Sequence, residues 1–241
     1  MPAKLFFYYS AMNAGKSSTL LQASHNYNER GLRTLLFIPK LIGNDFIASR
    51  IGLKASAIPF PPDFNFVTYV EQAIENAELG LEQKLGCVLV DEAQFLNKAQ
   101  VIQLTRVADE LQLPVLCYGL RTDFVGEPFE GSKYLMSYAD VLTEIKTICS
   151  CGRKATMNQR IAPDGKPLAS GAQVEVGGNE RYVGKCRQHF HEGLVEAAKL
   201  ARLDAPEGLE PRPTKQAKLS AEAAKDAEPA LAGVSGSPSK A

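Results

Sequence analysis

The chain has 241 residues, 45% of them apolar, with 27 basic and 27 acidic side chains and no formal net charge. That length and apolar content suffice for one sizeable core. A balanced charge gives no electrostatic reason to expect a nucleic-acid or membrane partner, and no apolar run approaches the roughly 18 residues of a membrane span.

Lys4–Tyr9 (KLFFYY) reads as a buried strand, Ser17–Glu29 as a helix stopped near Gly31, and Thr34–Ile38 (TLLFI) as a second strand. Pro39–Pro62 has no clear period and reads as one long irregular segment, a feature that is usually functional. Val70–Gln83 reads as a helix, Cys87–Val90 as a strand, Lys98–Leu111 as a helix and Val115–Tyr118 as a strand. Val141–Ile148 is expected to add an edge strand. Continuous apolar strands alternating with helices predict an α/β fold with a parallel sheet covered on both faces. Cys149–His189 is Gly-rich and polar, and Glu192–Leu203 reads as a last helix. From Asp204 the composition turns to Ala, Pro, Lys, Glu, Ser and Gly, which predicts a disordered tail. The expected organisation is a nucleotide-binding domain at 1–147, a small metal-binding domain at 148–203 and the tail at 204–241.

Met1–Tyr9 is too short for a secretory leader and lacks a cleavage site, so the expected location is the cytoplasm. Five cysteines in a reducing compartment point to metal ligation rather than disulfides.

Ser10–Ser17 reads S-A-M-N-A-G-K-S, a Walker A pattern with Ser10 in place of the first Gly, between a predicted strand and a predicted helix. The main-chain N–H groups of Ser10, Ala11, Met12, Asn13, Ala14 and Gly15 would wrap phosphates at the helix N-terminus. Lys16 would reach the β- and γ-phosphates of ATP, and the Ser17 hydroxyl would ligate Mg²⁺. The strand Cys87–Val90 runs into Asp91-Glu92, the Walker B arrangement, with Asp91 as a Mg²⁺ carboxylate. Glu92 is placed to be a general base, toward water in an ATPase or a substrate hydroxyl in a kinase; the pattern alone does not choose. A remodelling ATPase would add a second lobe and a basic track, and a non-catalytic zinc adaptor would not need Lys16, Ser17, Asp91 and Glu92 together.

Cys149-Ser-Cys151 and Cys186-Arg-Gln-His189 stand 34 residues apart and offer three thiolates and an imidazole, a structural Zn²⁺ set that would pin both ends of the intervening loop. Cys87 and Cys117 lie within apolar strands and read as core; His25 and His191 read as exposed helix residues.

Together S-A-M-N-A-G-K-S, D-E-A-Q-F, Y-G-L-R-T-D-F, I-C-S-C-G-R-K-A and G-G-N-E-R-Y-V-G-K-C-R-Q-H resemble the thymidine kinases of the cellular and bacterial type, over about residues 3 to 200. The resemblance implies ATP-dependent phosphorylation of the thymidine 5′-hydroxyl, in deoxynucleoside salvage for DNA synthesis. It implies a RecA-like P-loop domain followed by a zinc domain whose lasso loop covers the nucleoside. It assigns Glu92 as the base, Ser10–Ser17 and Asp91, Glu92, Ala93 and Gln94 to ATP and Mg²⁺, and Cys149, Cys151, Cys186 and His189 to zinc. Met12, Phe95, Leu120, Phe124, Phe129 and Tyr182 are implied as thymine walls. The lasso residues Gln173, Val174, Glu175, Val176 and Gly177 are implied to bind the base through main-chain groups, which makes the Gln173 side chain dispensable. Arg50 is implied near the phosphates; two residues before it, where many relatives carry Asp, stands Ala48. A homotetramer and feedback inhibition by thymidine triphosphate (dTTP) are implied in the same way.

Overall fold

The structure, a computed structural model, describes residues 2–173 and 181–203. The expected lasso residues Val174–Gly177 and the expected tail after Leu203 lie outside the described residues.

In chain order the elements are β1 (Leu5–Ser10), α1 (Lys16–Asn28), β2 (Arg33–Pro39), β3 (Phe46–Ala48), β4 (Lys54–Ser56), β5 (Ile58–Phe60), α2 (Phe66–Glu78), β6 (Leu85–Val90), α3 (Lys98–Asp109), β7 (Val115–Leu120), α4 (Glu130–Tyr138) and β8 (Val141–Glu144). They are followed by β9 (Thr147–Ile148), β10 (Lys154–Ala155), β11 (Met157–Ile161), β12 (Pro167–Leu168), β13 (Tyr182–Lys185) and α5 (Arg187–Leu203).

The main sheet has the order β5-β2-β6-β7-β1-β8, and every pairing in it is parallel. Its strands are apolar throughout because both faces are covered, and the period-2 alternation sorts their side chains. Phe7, Phe37, Val88, Val90, Val115 and Cys117 face α2, α3 and α4. Leu36, Ile38, Cys87, Leu89, Leu116 and Tyr118 face α1 through Leu20 and Leu21. This is the α/β architecture expected from the sequence.

Several boundaries differ from expectation. The helix expected over Val70–Gln83 occupies Phe66–Glu78, because the Asn65 side chain caps it by accepting from the Thr68 N–H at 3.2 Å. The stretch read as irregular, Pro39–Pro62, holds a 3₁₀ turn (Lys40–Ile42), the β3–β4 hairpin and the edge strand β5. Helix α4 is not among the elements expected from the sequence. Gly131 lies in its first turn, where an added Cβ would lie 2.5 Å from the Ala93 carbonyl, and the Ser132 hydroxyl donates to the Leu120 carbonyl. The segment Val141–Ile148 splits: β8 closes the sheet against β1, while β9 leaves to pair with β10. Between Cys149 and His189 the chain builds a small antiparallel sheet, β12-β11-β13.

Candidate active site

The C-terminal ends of β1, β6 and β7 converge, as ligand-binding α/β sheets require. After Ser10 the chain turns through Asn13 (φ 65°) and Gly15 (φ 87°) into α1. Gly15 is the N-cap and offers no side chain to the first turn of the helix, so those N–H groups face a ligand position. The Lys16 Nζ lies 3.3 Å from the Ser10 hydroxyl, which itself donates to the Ala11 carbonyl at 2.7 Å. Ser10, in the place of a glycine, therefore holds the lysine.

The Ser17 hydroxyl donates to Asp91 Oδ2 at 2.8 Å, and Asp91 Oδ1 accepts from the Glu92 N–H at 3.0 Å. Asp91 is 3% exposed. Burial, and then the neighbouring Glu92 charge, push its carboxyl up to about 7, against the Ser17 hydroxyl and the Lys16 ammonium. Burial likewise pulls the Lys16 ammonium below its usual range, while Glu92 and Asp91 hold it up. Glu92 takes a left-handed φ of 49°, a rare conformation for a residue with a side chain. Its carboxylate accepts from the Gln94 amide, whose Oε1 in turn accepts from the Leu120 N–H at 3.0 Å. Gln94 thus ties the carboxylate to the end of β7. Sequence reasoning placed Gln94 on the nucleotide and missed this link.

Met12, Asn13, Gly15, Lys16, Ser17, Ala48, Arg50, Glu92 and Leu120 line one cavity of about 240 Å³. Arg50 is exposed at its rim, just beyond β3. Phe95 and Phe129 form an edge-to-face pair with ring centroids 5.7 Å apart. Phe124 is buried beneath the guanidinium of Arg160, which also bonds the Tyr182 hydroxyl. The Gln173 side chain is not idle: its amide donates at 2.9 Å to Asp123 Oδ2, a buried carboxylate that also accepts from the Val125 and Glu127 N–H groups.

Cys149, Cys151, Cys186 and His189 come together with all four ligand atoms within 4.8 Å of one another, a group that could hold a metal ion. His189 Nδ1 faces Cys149 Sγ at 3.2 Å, and Cys151 Sγ lies 3.9 Å from Cys186 Sγ. For Cys149 burial opposes ionisation, but main-chain N–H groups of Cys151 and Cys186, with His189 and Ser150, bring its thiol down to about 5. Cys87 and Cys117 are buried within their strands, and burial pushes the Cys87 thiol up to about 12. The Cys₃His cluster packs directly on the Ser10–Ser17 loop, since Ala11 is buried with Cys149, Ala155 and Cys186.

The family model described as Thymidine kinase matches residues 3–190. The chain is 57% identical to a thymidine kinase of Coxiella burnetii over 194 residues, covering 79% of this chain and 96% of that one. It is 54% identical to the thymidine kinase of Xanthomonas oryzae pv. oryzae over 207 residues (83% and 97%) and 56% identical to that of Vibrio vulnificus over 195 residues (80% and 98%).

The chain belongs to the thymidine kinase family.

In this member of the thymidine kinase family, Lys16, Ser17 and Glu92 share one cavity with the apolar residues Met12 and Leu120, and Asp91 is buried beside them, bonded to Ser17. Among the described residues no helix is long and apolar enough to cross a membrane.

Proposed function

We propose that this chain is a thymidine kinase that moves the γ-phosphoryl group of ATP to the 5′-hydroxyl of thymidine, giving dTMP and ADP. The observation that carries the reading is the single cavity in which Lys16, Ser17, Glu92, Arg50, Met12 and Leu120 meet. Phosphoryl transfer asks the protein for positioning and charge rather than covalent chemistry.

In this reading the N–H groups of Asn13–Gly15 and the first turn of α1 bind the phosphates, and Lys16 neutralises the β- and γ-oxygens. Ser17 and Asp91, already hydrogen-bonded to each other, would hold Mg²⁺, which supplies further charge neutralisation between the phosphates. Glu92, fixed by Gln94, accepts the 5′-hydroxyl proton. The 5′-oxygen then bonds to the γ-phosphorus as the bond to the β–γ bridging oxygen breaks, and ADP leaves. Arg50 at the rim offsets charge on the moving group, with Ala48 beside it leaving the carboxylates to Asp91 and Glu92. Met12, Phe95, Leu120, Phe124, Phe129 and Tyr182 enclose the base, and Gln173–Gly177 meets its polar edge.

The four-residue cluster fits zinc. A tetrahedral ion with thiolate bonds near 2.3 Å sets its sulfurs roughly 3.8 Å apart, close to the observed Cys151–Cys186 spacing of 3.9 Å. His189 Nε2 points toward Glu192 at 3.8 Å, the kind of carboxylate that orients a ligating imidazole. With four protein ligands the metal is structural. The same reading includes the division into a kinase domain at 1–147 and a zinc domain at 148–203 and a cytoplasmic role in salvage, and the resemblance adds a homotetramer and inhibition by dTTP. A radiolabelled phosphate-transfer assay across the common deoxynucleosides tests it: transfer to thymidine above all others is expected, and hydrolysis of ATP indifferent to thymidine would refute it.

A further inference from the structure

Strand β11 reads Met-Asn-Gln-Arg-Ile, and its three central polar residues, Asn158, Gln159 and Arg160, are each only 2–3% exposed. Buried polar groups at this density need partners. Strand alternation sends Gln159 one way, against Gly193 of α5, and sends Asn158 and Arg160 the other way. Asn158 Oδ1 accepts from the Met12 N–H at 2.7 Å, and its Nδ2 donates to the Thr122 carbonyl at 2.9 Å. Arg160 does more. Its Nε and Nη2 donate to the Tyr182 hydroxyl at 2.9 and 2.6 Å, and Nη2 also donates to the Ala172 carbonyl at 2.8 Å. Its guanidinium carbon lies 3.8 Å above the centre of the Phe124 ring. The chain at Gly171 (φ 133°) passes so close that an added Cβ would lie 2.9 Å from Nη1.

We propose that Arg160 is a positioning residue of the nucleoside pocket, gripping Phe124 by its face and Tyr182 by its hydroxyl so that two walls from distant parts of the chain keep a fixed separation. This rests on the thymidine kinase reading. A planar guanidinium lies flat on a ring while its N–H fork donates within its own plane; an ammonium has neither plane nor fork, so lysine would not replace it. Asn158 plays the companion part for the Met12 main chain. Arg160 grips the Phe124 ring and the Tyr182 hydroxyl, whereas the phosphate loop meets Tyr182 through its main-chain carbonyl, which accepts from Asn13; loss of the guanidinium should therefore weaken nucleoside binding and spare the transfer step.

The test is steady-state kinetics on Arg160→Met, Tyr182→Phe and the double variant, with thymidine and ATP varied separately. Arg160→Met should raise the thymidine KM on the order of 10- to 30-fold, with kcat within about threefold and the ATP KM unchanged, the signature of lost uniform binding. Tyr182→Phe should give a smaller rise of the same kind, and the double variant should be less than additive. A wild-type thymidine KM in Arg160→Met, equal rises in both KM values, or strict additivity would overturn the proposal. If Arg160→Met does not fold, Tyr182→Phe decides: a rise confined to the thymidine KM supports the clamp and no change overturns it. If the wild type prefers another deoxynucleoside, only the substrate reading fails, and the same split is read on that nucleoside.

Discussion

The Ser17 hydroxyl donates to Asp91 across 74 residues of sequence, at 2.8 Å. This bond joins the Ser10–Ser17 turn to the Asp91-Glu92 pair, and it leaves a carboxylate buried beside a second carboxylate. In the proposed kinase reading this pair would hold a cation, and its burial comes at the expense of the folded chain's stability.

That expense has a pH signature. The Asp91 carboxyl in the folded chain is pushed up to about 7 from an ordinary 3.8, first by burial and then by Glu92. A raised acid pKa means the folded state binds the extra proton, so the stability it contributes is complete below pH 3.8 and is lost as pH rises toward 7. In chelator and without nucleotide, Asp91→Asn should therefore melt above wild type at pH 8, by on the order of 3–10 °C. The gap should shrink steadily toward pH 4. Differential scanning fluorimetry across that range reads it; a gap independent of pH would remove Asp91 as the source. The same variant should lose nearly all activity.

Glu92→Gln should keep ATP binding and lose about 10²- to 10⁴-fold in kcat, the usual cost of removing a general base. The replacement stays within reach of Gln94, so its geometry is conserved while its basicity is gone. Titration calorimetry with ATP and single-turnover kinetics check both halves, and near-normal turnover would exclude Glu92 from the proton transfer.

Metal analysis of the purified protein should find about one zinc per chain. Cys186→Ser should raise the KM for ATP as well as for thymidine, because Ala11 of the phosphate loop packs on Cys149 and Cys186 and the Met12 N–H is held by Asn158. A variant that loses zinc yet keeps both KM values would show that the metal module does not support the phosphate loop.

Base selection should be uneven. A methyl pocket built from Met12, Leu120 and Tyr182 can separate thymidine from deoxyuridine by only about 10- to 200-fold. Cytosine reverses donors and acceptors on the polar edge, and unpaired buried groups cost more. The expected order of kcat/KM is thymidine, then deoxyuridine, then deoxycytidine far behind. Met12→Ala should narrow the first gap without admitting deoxycytidine. Deoxycytidine matching deoxyuridine on the wild type would make this a broader deoxynucleoside kinase.

The amino-acid sequence by itself determined the Ser10–Ser17 strand-to-helix turn, the Asp91-Glu92 pair at a strand end and the grouping of Cys149, Cys151, Cys186 and His189. Each is a short pattern whose chemistry is local: a lysine and serine at a helix start, a carboxylate at a strand end, thiols paired in sequence. It also determined the central strands, because burial on both faces leaves an unbroken apolar run such as Cys87–Val90. Tertiary structure decided what depends on distant partners. The edge strand Ile58–Phe60 is only three residues long and carries Pro59 at its centre; it forms because Phe37–Pro39 offers an open edge. Helix α4 needs Gly131 in its first turn because the Ala93 carbonyl leaves no room there for a side chain. The Gln173 amide acquires a task because Asp123, 50 residues away, is buried beside it. Arg160 looks like a surface cation in the sequence and is a buried clamp in the fold, since a guanidinium can be dehydrated only where an aromatic face, a hydroxyl and a carbonyl have been brought to meet it.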